Sequence, residues 1–151
     1  MSKLFSSSDY VEDMVRKEFE KTSLDTCIKV NVISTSKGRE IVKVSKASPE
    51  TEFLTKHEGM VTVIVYEEAL EKLSDKQQQL IIEGAVSCIS YDNEKDKILI
   101  DKSEMNMLNR MRHKYDNDVL DTFETGVMVI SQIEMEKKEA KEALKFEKQK
   151  K

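Results

Sequence analysis

Met60-Val61-Thr62-Val63-Ile64-Val65-Tyr66, then Glu67 to Leu73, then Leu80-Ile81-Ile82-Glu83-Gly84-Ala85-Val86-Ser87-Cys88-Ile89, is the stretch on which the fold of this chain turns. Its first part is apolar at both odd and even positions and rich in β-branched residues, as a strand covered on both faces requires. Between the two parts, Glu67 to Leu73 has room for a helical turn or two. Ser74 or Asp75 then caps a helix, with Gln77 or Gln78 near the position of a capping-box side chain. The spacing of positions 80, 81, 84, 85, 88 and 89 gives that helix an apolar face. Gly84 inside it costs about 1 kcal/mol against alanine, which predicts a close approach by another element. A buried strand feeding a buried helix is where a small α+β domain holds its chemistry.

Upstream, Ser8 or Asp9 caps a predicted first helix with Tyr10, Val11, Met14, Val15 and Phe19 on one face, ending near Thr22. From Cys27 the period becomes two. Ile28, Val30 and Val32 alternate with Lys29, Asn31 and Ile33, Ser34 to Gly38 make a turn, and Glu40 to Val44 return, which reads as a hairpin with one wet face. Ser45 to Gly59 contains the single proline, Pro49, and reads as a connection packed through Phe53 and Leu54 and carrying His57.

Downstream, Ser90 to Asp96 is a polar turn and Lys97 to Ile100 a short strand. Asp92, Asn93, Glu94 and Asp96 lack the glycine and the terminal glutamate of a calcium loop at their offsets. Asp101 or Ser103 starts a helix with Met105, Met107, Leu108 and Met111, running into Arg110-Met111-Arg112-His113-Lys114. Arg110, Arg112, His113 and Lys114 form a basic patch open to an anionic partner, against the plain reading of cations at a helix C-terminus. Asp116 or Asn117 caps the last helix, whose face is Val119, Leu120, Phe123, Val127, Ile130 and Ile133. From Glu134 the sequence is charged and helix-favouring, with too few apolar residues for a coiled coil. These readings divide the chain into one α+β domain, residues 1–133, and a charged helical tail, residues 134–151.

Composition narrows the function classes. With 151 residues and 38% hydrophobic content, one domain can bury a core without staples. Two widely separated cysteines, Cys27 and Cys88, predict buried thiols in a reducing cytosol rather than a disulfide scaffold. The apolar runs are too short for a membrane helix, and a net charge of -4 gives the whole chain no electrostatic pull on nucleic acid. A phosphate-binding glycine loop is absent, and His57 and His113 sit on separate stretches with no evident nucleophile beside them.

The runs Lys43-Val44-Ser45-Lys46-Ala47-Ser48, Phe53-Leu54-Thr55, Val61 to Val65, Leu73-Ser74-Asp75-Lys76-Gln77 and Leu80-Ile81-Ile82 give the chain its likeness to a known family. Over roughly Tyr10 to Tyr115 it resembles the phage metallopeptidases, small zincin-like proteins of bacteriophages and prophages. In that family the helix after L-x-D-x-Q carries H-E-x-x-H, two zinc-binding histidines one turn apart with a general-base glutamate between.

Transferred by position, the first histidine falls on Gly84, the glutamate on Ala85 and the second histidine on Cys88. A later family histidine falls near Asp101 to Ser103. The resemblance therefore implies the fold, with a small mixed sheet, an N-terminal helix, a degenerate active-site helix and a long charged C-terminal helix. It argues against the activity. No catalytic residue and no cofactor are expected, and Cys88, Asp92 and Asp101 are the side chains left that could hold a zinc. The expected function is that of a pseudoenzyme, a protein-binding or assembly module in the host bacterial cytoplasm or the virion, engaging a phage or host protein through its C-terminal helix. Two alternatives stand beside it: a zinc-dependent hydrolase with non-standard ligands, and a nucleic-acid-associated phage protein using the basic patch.

Overall fold

The computed structural model describes residues 4–47, 50, 60–95, 97–115 and 118–149. The strands are β1 (Leu4–Ser6), β2 (Lys29–Thr35), β3 (Val42–Lys46), β4 (Met60–Val65), β5 (Ile89–Asp92) and β6 (Lys97–Ile100). The α-helices are α1 (Asp9–Lys21), α2 (Glu67–Leu70), α3 (Asp75–Val86), α4 (Glu104–Tyr115) and α5 (Asp118–Gln149). Four strands make a mixed sheet in the order β1-β2-β4-β3, and β5 pairs with β6 in a sheet of their own. The fold class is α+β. None of the helices among the described residues is long and apolar enough to cross a membrane.

β4 occupies the interior of the mixed sheet because its side chains leave no face for water. It runs parallel to β2, with Val32 opposite Val63, and antiparallel to β3, with Val44 opposite the same Val63. Val61, Val63 and Val65 are completely buried, while Thr62 and Ile64 on the other face are half-buried. The hairpin expected between β2 and β3 does not form, since β4 is inserted between them. Alternation along β2 and β3 reports one wet face each, but not which strand is the neighbour. β3, with exposed Lys43 and Lys46, suits the edge. Lys97–Ile100 also lies outside the mixed sheet. Its partner is Ile89–Asp92, which the helical spacing through Cys88 and Ile89 had hidden. A further strand, β1, pairs with β2 in a segment whose sequence shows no periodicity.

The helix boundaries follow the caps. Ser8 caps α1 by accepting from the Val11 N–H, and its own hydroxyl donates to Glu67 at the start of α2. The buried Ser34 of β2 donates to the other oxygen of Glu67, so this one carboxylate ties α1, α2 and β2 together. Ser74 and Gln77 complete the capping box of α3, each side chain reaching the other's backbone N–H at 3.3 and 3.1 Å.

α5 meets the domain along Val119, Ile130 and Ile133, all buried, but not through Val127, which is 61% exposed. Gly126 takes that place. A β-carbon added there would sit 3.0 Å from Ile41 Cδ1 and 3.5 Å from Ile81 Cδ1, so the helix backbone itself closes on the core. Beyond Ile133 the side chains of residues 134–148 are exposed. Lys137 still reaches back, to the Ser36 carbonyl at 3.2 Å, to Glu68 at 3.2 Å and over the Tyr66 ring.

Three other expectations change. Tyr10 and Met105 lie on outer faces, and Cys27 is exposed rather than buried. The connection with Pro49, Phe53, Leu54 and His57, the loop residue Asp96 and the candidate caps Asp116 and Asn117 lie outside the described residues.

The capping box sets where α3 begins and hence which side chains its next turns present to the core. Replacing Ser74 with alanine should lower stability by about 1 kcal/mol. Urea unfolding should show it as a lower midpoint with an unchanged slope.

Candidate functional site

α3 carries Gly84 and Ala85 in its last turn, with Cys88 two residues past its end, and the packing there leaves no room for a metal site. Gly84 is buried against α4 and α5. A β-carbon at this position would lie 2.8 Å from Phe123 Cζ and 3.2 Å from Met107 Sδ. The space that a histidine would fill is thus taken by an aromatic ring and a thioether. Ala85 is half-buried and carries no group that could move a proton. Cys88 is no longer on the helix, which ends at Val86. The freed carbonyl of Gly84 accepts from the Ser87 hydroxyl at 2.6 Å and from the Cys88 thiol at 3.4 Å. These bonds satisfy a helix-end carbonyl and hold the thiol inward.

Cys88 and Asp101 do come together, with a cation between them. They begin and end the β5–β6 hairpin, where the Asp101 N–H donates to the Cys88 carbonyl at 2.8 Å. From α4, Arg110 donates through Nη1 to Asp101 Oδ2 at 3.1 Å and through Nη2 to Cys88 Sγ at 3.5 Å. Asp101 also accepts from the Ser103 N–H at 2.9 Å and the Asn106 amide at 3.2 Å. The Ser103 bond first, then Arg110 and Asn106, hold its carboxyl below the usual range. Burial pushes the Cys88 thiol up, with the Arg110 guanidinium pulling against it. A protonated thiol and a carboxylate already shared among three donors make poor metal ligands.

The third candidate ligand, Asp92, is at the other end of the hairpin, four residues from Cys88 and so about 13 Å off along the strand. There it accepts from the N–H groups of Glu94 and Lys95, as an aspartate opening a turn does. Among the described residues, no three of His, Cys, Asp and Glu converge in a group that could hold a metal ion. The described residues at these positions do not fit a zinc.

The basic patch is divided by the helix that carries it. Arg110 and Lys114, one turn apart, turn toward the domain and pair with Asp101 and Glu83, leaving Arg112 and His113 exposed on the other side. Lys114 nevertheless keeps its side chain 67% exposed, so an anionic partner would meet Arg112, His113 and an ion-paired Lys114, with Arg110 held by Asp101.

A second polar cluster has no signal in the sequence beyond a glutamate in an apolar helix. Glu83, 8% exposed, accepts from the Tyr115 hydroxyl at 2.6 Å and from Lys114 at 3.1 Å. Glu18 of α1, 3% exposed, faces the same cluster and has Lys21 at 3.8 Å, with its Oε2 buried and lacking a hydrogen bond. Burial, then the charge of Glu83, raises the Glu18 pKa against the opposing pull of Lys21 and Lys114. The hydrogen bond to Glu83 is the main reason the Tyr115 hydroxyl is pushed up to about 12, so it serves as a donor and not as a base. The cluster joins α1, α3 and α4 from within. The groove of about 490 Å³ lined by Leu4, Phe5, Glu12 and β2 residues shares nothing with it or with the motif positions. The chain has no match among known protein families, curated proteins or solved structures.

Two outcomes follow from this packing. Gly84→Ala should destabilise, because overpacking costs about 1–3 kcal/mol and the gain in helix propensity returns only about 1 kcal/mol. The cost should shrink when Phe123 is also changed to leucine, and a double-mutant cycle in urea would measure the coupling. Glu18 has its pKa raised in the folded state, so the folded chain holds the proton more tightly and stability falls as pH rises from the ordinary glutamate range through that higher value. Glu18→Gln should therefore raise the urea midpoint at pH 7.5 and change it less at pH 4.

Proposed function

We propose that this chain is a non-catalytic, phage-encoded relative of the metallopeptidases that it resembles, a binding or assembly module of the host bacterial cytoplasm or the virion. Its protein partner is engaged through the C-terminal helix. The observation that carries the first half of this reading is Arg110. The two positions that the resemblance leaves with possible ligands, Cys88 and Asp101, both face its guanidinium. An arginine stays charged at every accessible pH and has no lone pair to give to a metal. A divalent ion seated between these two side chains would meet that positive charge at close range. With the base position held by Ala85 and the first ligand position packed by Phe123, these positions offer no side chain for water activation or substrate polarisation.

α5 supports the second half. Over residues 134–148 it offers exposed side chains, with Lys137 reaching back to Ser36 and Glu68 of the domain. Such a helix gains little from its own core, because most helical stability comes from a packed apolar face. A partner would supply one.

Zinc content tests the reading. Elemental mass spectrometry of the untagged protein, purified without chelators, should find far less than one zinc per chain. About one per chain would overturn the non-catalytic assignment. Truncation after Lys138, which keeps the Lys137 contacts, should shift the unfolding free energy by no more than about 0.5 kcal/mol. A larger loss would make the tail part of the domain instead of a surface for partners.

A further inference from the structure

The partner surface can be described more closely, on the premise that α5 is where a partner binds. At 3.6 residues per turn, Met128, Met135 and Phe146 fall within about 20° of one line along α5. They are 70%, 63% and 59% exposed, on the side of the helix away from Val119, Ile130 and Ile133. Within about 50° of that line the charged positions among the described residues of α5 are Asp121, Glu124, Glu139 and Glu142, four carboxylates and no cation. The nearest lysines, Lys138 and Lys145, stand about 70° and 90° around the helix. All four carboxylates are exposed, and none holds an ion pair among the described residues.

Apolar side chains spaced by seven and eleven residues return to one face, which is the spacing a second helix reads. From Met128 to Phe146 the stripe runs about 27 Å, or five turns of a partner. Methionine is flexible and polarisable, and accommodates helices of differing shape. The carboxylates then select among partners. A second copy of this chain would bring four more carboxylates into the same seam with no cation between, an arrangement that like-charge repulsion disfavours. We infer that the outer face of α5 docks an amphipathic helix of a partner protein whose apolar stripe is flanked by lysines or arginines.

The test uses the full chain and three fluorescein-labelled helical peptides of about five turns. One has leucines in a single stripe flanked by lysines, one has the same composition scrambled, and one has glutamates in place of the lysines. By fluorescence anisotropy the first should bind at least tenfold more tightly than either of the others. Met128→Ser with Met135→Ser should weaken it at least tenfold with no change in melting temperature. Glu124→Gln with Glu139→Gln and Glu142→Gln should reduce the preference for lysine over glutamate and flatten the dependence on salt.

Equal binding of the scrambled peptide, or binding unaffected by the methionine variant, would overturn the inference. So would concentration-dependent dimerisation in sedimentation that the methionine variant abolishes, which would assign the face to a second copy. The broader reading fails separately: a zinc per chain refutes it whatever the peptides do. A zinc-free chain whose methionine variant binds like the parent refutes only this face.

Discussion

A strand with valine, isoleucine and threonine on both faces can lose its apolar surface to water only if it has a neighbour on each edge and cover on each side. β4 is that strand, and its need places the other elements. It takes the interior position that β2 and β3 would otherwise have closed between themselves, and it carries the chain directly into α2 and α3. Because α3 follows the most buried strand, it is itself buried nearly all round. Leu80, Ile81, Ile82, Gly84 and Val86 face protein in several directions. Glu83, in the same run, can stay buried only because Tyr115 and Lys114 satisfy its carboxylate.

The end of α3 shows how close helix packing leaves its centre to side chains instead of a cavity. Gly84 lets Phe123 of α5 and Met107 of α4 close over the helix, and Gly126 lets α5 close on Ile41 and Ile81. Two glycines on facing helices thus bring three elements within side-chain contact of one another. Where polar groups remain, at Cys88 and Asp101, an arginine bridges them. A guanidinium has the charge to neutralise a carboxylate and the planar donors to reach two acceptors, and it does so without the geometry that a metal demands. Along the outside of α5, by contrast, apolar and acidic side chains face solvent together.

Local chemistry in the sequence was sufficient for the elements that have their own signals. The Ser8 and Ser74 caps, the two-residue period of β2, the apolar run of β4 and the stop of the buried stripe at Ile133 all depend on residues a few positions apart. Close approach at Gly84 was readable too, because a glycine inside an apolar helix asks for a reason. That Gly84 and Ala85 offer no side chain for metal binding or proton transfer was visible as well.

Partners that are distant in sequence were decided only by the tertiary structure. The periodicity of β2 and β3 could not show that β4 separates them, because a period records which face is wet and not which strand lies alongside. Ile89–Asp92 read as the end of a helix and then a turn, since four residues hold too little period to reveal a strand without β6. The basic patch looked like one surface because its residues are adjacent in sequence, yet a helix turns Arg110 and Lys114 toward Asp101 and Glu83 and leaves Arg112 and His113 outside. The pairing of Glu18 with the Glu83 cluster joins residues far apart in the chain. Sequence by itself determined the elements that carry their own period or cap, and the lack of ligand and base side chains at Gly84 and Ala85, because these are properties of neighbouring residues. Tertiary structure decided what fills the place of the motif, because burial and charge pairing depend on which elements pack together.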